Sequence, residues 1–110
     1  MKNLHFAFLV VAALSCGAIA ARAAASLGDV DQIGQEFDPD NVTIAAGGAV
    51  AFHNQDDVTH NIHVLGSDGT DIDEGLQAPG KDILVHFDKA GTYKIRCAIH
   101  PSMKMKIIVE

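Results

Sequence analysis

A chain of 110 residues has room for one ordinary domain, and its 14 acidic side chains outnumber eight basic ones, giving a formal charge of −6. That balance excludes the concentrated positive charge that nucleic acid or an anionic membrane would select, and it favours a basic partner.

The chain opens on a segment unlike the rest. Lys2 gives a modest positive start, residues 6–21 are apolar except for Ser15, Cys16 and Gly17, and small alanines follow up to Ala25. A short apolar stretch with alanine-rich flanks predicts a secretory signal peptide over residues 1–25, cut after Ala23 or Ala25. The stretch is too short and too weakly flanked for a membrane anchor. Leu14-Ser15-Cys16 admits a second reading, a lipid anchor on Cys16, although Ala13 stands where such signals usually carry leucine. Both readings take the product out of the cytoplasm, and the expected compartment is the periplasm. The mature domain, residues 26–110, keeps six basic and all 14 acidic residues, a charge of about −8.

Export makes the cysteine count informative. An exported domain built on disulfides needs cysteines in pairs, yet Cys97 stands alone once Cys16 leaves with the signal. A solitary thiol in an oxidising compartment is a liability unless it is buried or occupied.

The mature chain reads as short period-two alternations cut by turn residues. Val42 and Ile44 alternate with Thr43, then Gly47-Gly48 turns the chain into Val50 and Phe52, opposed by Ala49, Ala51 and His53. Beyond a polar turn at 54–57, His60, Ile62 and Val64 share one parity, and Asn61 and His63 the other. Residues 66–80, holding Asp68-Gly69, Glu74-Gly75 and Pro79-Gly80, read as a long loop. Ile83, Val85 and Phe87 form the next inward set. Tyr93, Ile95 and Cys97 follow, with Thr92, Lys94 and Arg96 outward, and Met105, Ile107 and Val109 close the chain facing inward. No helical period is present, so the expected fold is an all-β Greek-key sandwich of antiparallel character with seven or eight strands.

The segment Cys97-Ala98-Ile99-His100-Pro101-Ser102-Met103 places a thiol, an imidazole and a thioether within seven residues. Soft sulfur with imidazole suits copper, and two histidines, one cysteine and a weak axial methionine form the blue-copper electron-transfer set. Strand parity supplies the missing histidine: His60 points inward with Ile62 and Val64, whereas His63 points outward. The expected metal ligands are therefore His60, Cys97, His100 and Met103. Asn61 is placed to hydrogen-bond across to the ligand loop and hold it.

At these residues the chain resembles a known family. Thr59-His60-Asn61-Ile62-His63, then Gly91-Thr92-Tyr93 leading to Cys97 and the C-x-x-H-P-x-M loop, is similar to the cupredoxins, most of all the amicyanins, with plastocyanins and pseudoazurins as cousins that have a longer ligand loop. The resemblance runs from about Phe37 to Glu110. It implies a cupredoxin fold, one type 1 copper ion and one-electron transfer, with an amine dehydrogenase and a c-type cytochrome as partners. It also bears on the axial ligand. Met103 gives the loop length of amicyanin and Met105 that of plastocyanin; the residues that follow favour Met103, though Met105 stands where the relatives usually carry glycine. Met105 also fits as a core side chain in line with Ile107 and Val109.

The other candidates read as ordinary structure. His53, His63 and His86 have outward parity and are expected as solvated surface histidines. Tyr93 reads as a core or corner residue. The acidic run over 68–74 reads as a solvated loop, with a docking patch as the alternative; its aspartate spacing misses the calcium-loop pattern. No second metal site, acid–base pair or substrate-sized pocket is signalled, so the protein is expected to be a non-enzymatic, monomeric electron carrier. The competing readings are a copper-delivery protein without a redox duty, which would favour exposed methionine-rich motifs, and a zinc module, which methionine disfavours.

Overall fold

A computed structural model describes residues 26–110; the segment assigned to the signal peptide, Cys16 included, lies outside the described residues. Nine strands occupy the described chain in the order β1 (Leu27–Ile33), β2 (Glu36–Asp38), β3 (Asn41–Ile44), β4 (Gly48–Asn54), β5 (His60–Gly66), β6 (Asp71–Gln77), β7 (Asp82–Phe87), β8 (Gly91–Arg96) and β9 (Lys104–Val109). They form two sheets, β2-β1-β4-β7 and β3-β9-β8-β5-β6. The expected all-β sandwich is present, with nine strands in place of seven or eight and two further corrections. The sheets are mixed, because β1 runs parallel to β4 and β3 parallel to β9. The segment read as one long loop also contains β6.

Parity sets the core. Val50 and Phe52 of one sheet meet Ile62, Val64, Ile95 and Ile107 of the other, all buried. Removing such side chains from water is the main favourable term holding the two layers together, about 1.5–3 kcal/mol for each large one. Aromatic pairs pin the two ends: Phe37 meets Phe52 edge-on at 6.1 Å, and Phe87 meets Tyr93 at 5.0 Å. Tyr93 also donates its hydroxyl to the Lys89 carbonyl, 2.8 Å away, so it is a corner residue as well as a core one. Burial pushes its phenol pKa up, with Asp68 and Asp88 adding to the effect.

The strands missed by alternation have physical reasons for hiding. In β6, Ile72 and Leu76 face solvent and its acids are exposed, as an edge strand allows. Its pairing with β5 slips between Asn61 and His63, and Gly75 lies in the slip with φ of 90°. Only glycine adopts that conformation without strain, so the residue that looks like a turn signal is a bulge. In β1 the inward set is Val30 and Gln32, and the buried amide breaks the apolar pattern.

Candidate metal centre

One end of the sandwich is assembled by three turns. Asn54, buried at the end of β4, donates to the Val58 and Gln77 carbonyls and accepts from the Asp56 amide, fixing the turn into β5. Gly34 and Gln35, both with positive φ, turn β1 into β2 and aim their amides at the Asp56 carboxylate at 2.7 and 2.9 Å. The third turn is the loop after β8. It is closed by the Cys97 amide donating to the Met103 carbonyl and the Met103 amide donating to the His100 carbonyl.

Here His60, Cys97 and His100 converge, their ligand atoms all within 4.8 Å of one another. His60 Nδ1 and His100 Nδ1 lie 3.1 Å apart, and Cys97 Sγ lies 3.9 and 3.7 Å from them. A point equidistant from the three atoms is about 2.1 Å from each, which matches a metal–imidazole bond and falls slightly short of a metal–thiolate one. The donor chemistry agrees. The Nε2–H of His60 is committed to Asp56 Oδ2 at 2.7 Å, which leaves Nδ1 as the basic nitrogen turned toward the thiol. The backbone N–H of Asn61 donates to Cys97 Sγ at 3.3 Å, fixing the sulfur in place beside the two rings.

Burial differs among these residues in a useful way. His60 and Cys97 are fully enclosed, while His100 retains partial exposure among the exposed Ile99 and Pro101. Met103 and Met105 are both buried. They are placed differently: Met103 belongs to the loop whose backbone joins Cys97 to His100, whereas Met105 already lies in β9 opposite Ile95.

Asn61 behaves as expected and does more. Its side-chain oxygen accepts from the Ala98 amide at 3.1 Å, tying the ligand loop to β5, and its Nδ2 donates to Asp73 at 2.7 Å and to the Gly75 carbonyl. The β6 bulge thus brings Asp73 and Gly75 onto the residue that holds the loop. The Gly75 amide, then Asn61, keeps the Asp73 carboxyl below its ordinary pKa. For Asp56, burial works to raise the pKa, but the His60 ring and the Gln35 and Gly34 amides outweigh it and hold the carboxyl low. Neither Asp56 nor Asp73 was legible as part of the site. Asp56 left one usable signal, a carboxylate four residues before an inward histidine.

Of the histidines expected at the surface, His86 is exposed. His53 is not a free surface group: it is half-buried, with Nε2 2.9 Å from Asp29 and Nδ1 2.8 Å from Asp82. His63 is likewise half-buried and pairs with Asp71. Their partners lie on neighbouring strands, so alternation alone could not reveal them.

A two-sheet sandwich with a thiol and two imidazoles gathered at one end is a mononuclear metal-binding protein of the soft-donor class. The chain belongs to the family of copper binding proteins of the plastocyanin/azurin type, whose family model matches residues 24–110. It is 34% identical over 119 residues to amicyanin-alpha of Methylorubrum extorquens, an alignment covering the whole of both chains. Methylamine utilization protein MauL of Methylophilus methylotrophus is 31% identical over 77 residues, 68% of this chain and 44% of that one. Among solved structures, a reduced amicyanin variant superposes with a TM-score of 0.71 at 25% identity, covering 83% of this chain and 89% of that one.

Proposed function

We propose that the protein carries single electrons on one copper ion held by His60, Cys97, His100 and Met103. The observation that carries this reading is the convergence of two imidazole nitrogens and one sulfur at 3.1–3.9 Å at one end of a rigid sandwich. Bound there, copper would supply reversible one-electron chemistry between Cu(I) and Cu(II), and the Met103 thioether would tune it as a weak donor.

The residues do the rest. Asp56 fixes the tautomer and ring plane of His60, Asn61 restrains the loop carrying Cys97 and His100, and the β5–β8 core prevents the ligands from drifting apart between oxidation states. The buried thiol and buried His60 disfavour rapid metal exchange, which argues against a delivery role. The half-exposed His100 edge, with Ile99 and Pro101 beside it, is the proposed exit for the electron, a small apolar contact of the kind transient redox encounters use.

Residues 1–25 are proposed to be a cleaved signal peptide, giving a monomeric periplasmic domain over 26–110. The name of one relative refers to methylamine utilization. With the amicyanin likeness it supports an amine dehydrogenase as electron donor and a c-type cytochrome as acceptor. A potentiometric titration of the copper-loaded protein tests the carrier reading: one reversible one-electron wave with unchanged metal content is expected, and loss of metal on each reduction would overturn it.

A further inference from the structure

The outer face of the five-stranded sheet is unusually charged. Strand register sets Lys94 directly opposite Lys106 and Arg96 directly opposite Lys104. All four side chains are exposed, because Tyr93, Ile95, Met105 and Ile107 take the inward parity. Like charges at directly opposed positions repel, so this arrangement works against sheet stability. No lysine or arginine among the described residues relieves it through an ion pair; the four ion pairs there all use histidine. These residues hold four of the six positive charges of the described chain, on a protein whose formal charge is −6. They line a groove of about 370 Å³ together with Asp40, Asn41 and Met105.

The position of the groove is informative. Arg96 immediately precedes Cys97 and Lys104 immediately follows Met103, so the cationic patch begins at the base of the ligand loop. Across the same face the rows continue through His63 to Asp73 and through Leu65 to Asp71. Two strand spacings, about 10 Å, separate β8 from β6. That is about one Debye length at moderate salt, so the acidic edge does not neutralise the patch.

We propose that this groove docks an acidic face of a redox partner protein, orienting it over the His100 edge. The proposal rests on the electron-carrier reading for its purpose and on charge complementarity for its partner. A compact cluster of carboxylates matches four cations and a single lining aspartate. An extended polyanion, whether nucleic acid or an anionic bilayer, would also meet Asp71, Asp73 and Glu74 and the negative charge of the whole molecule. The net acidity, which taken alone favours a basic partner, therefore misstates the surface beside the site.

The test is an NMR titration of the copper(I)-loaded protein with hexaglutamate and, separately, hexalysine at low ionic strength. Hexaglutamate should shift amides around Lys94, Arg96, Lys104 and Lys106, and the shifts should fade as salt approaches about 0.2 M. The Lys94→Gln/Lys106→Gln variant should bind about tenfold more weakly while unfolding at the same or a higher temperature. Shifts centred on Lys81 and Lys89, or none, would overturn the proposal. So would co-sedimentation with phosphatidylglycerol vesicles by a protein that ignores hexaglutamate. The same variant should be oxidised more slowly by hexacyanoferrate(III) but not by tris(phenanthroline)cobalt(III). A copper(I)-loaded protein that binds hexaglutamate at this groove yet gives no electron to either oxidant would sink the carrier reading and leave the docking surface standing.

Discussion

His60 uses its two ring nitrogens for different tasks, Nε2 to Asp56 and Nδ1 to the thiol and second imidazole, so a carboxylate outside the donor set decides how the metal is presented with a basic nitrogen. The axial place is the residue-level question that remains open to direct test. Met103→Leu is expected to leave copper bound and raise the reduction potential, while Met105→Leu, a nearly volume-conserving swap in the core, should change the potential little and cost less than about 1.5 kcal/mol of stability. Voltammetry of the two variants checks this, and the reverse pattern would move the axial role to Met105. A second prediction concerns Gln32, which is fully buried with neither its amide nitrogen nor its oxygen hydrogen-bonded among the described residues. An unpaired buried amide costs about 1–3 kcal/mol, so Gln32→Leu should stabilise the protein by that order. Denaturant unfolding measures it, and a destabilised variant would mean the amide has a partner in solution.

At the scale of elements, the four-stranded sheet is fastened by His53. From β4 it reaches Asp29 on β1 and Asp82 on β7, so one imidazole ties three strands. The hydrogen bond to Asp29, then that to Asp82, raises its pKa above 6.5 against the opposing effect of burial. A raised folded-state value means that protonation favours folding. The contribution is fully present below the unfolded value and is lost as pH rises through the folded one. Thermal unfolding of the wild type and of Asp29→Asn/Asp82→Asn should therefore differ most near about pH 5 and converge above about pH 8. A difference that stays constant across that range would show the clasp to be held by neutral hydrogen bonds.

Much of this architecture could be read before any coordinates, and the reason is locality. Cys97, His100 and Met103 lie within one loop, and the inward parity of His60 is carried by its neighbours Ile62 and Val64. What could not be read depends on register between distant strands: the Asp73–Asn61–Ala98 chain, the His53 clasp, the β6 bulge and the opposed cations of β8 and β9. Gln32 hid β1 for the opposite reason, since a polar residue at an inward position violates the rule used to find strands.

For the molecule as a whole, the two faces of the five-stranded sheet divide the work. The inner face supplies the core that fixes His60 and Cys97, and the outer face carries the charge that would orient a partner. The claim on which all of this depends is that Cys97 binds copper as a thiolate beside two imidazoles. The visible spectrum of the purified protein with one equivalent of Cu(II) tests it most directly. An intense blue charge-transfer band is expected, lost in Cys97→Ser because Cys97 is the only cysteine beyond position 16. A colourless copper complex, or a Cys97→Ser variant that stays blue, would contradict it.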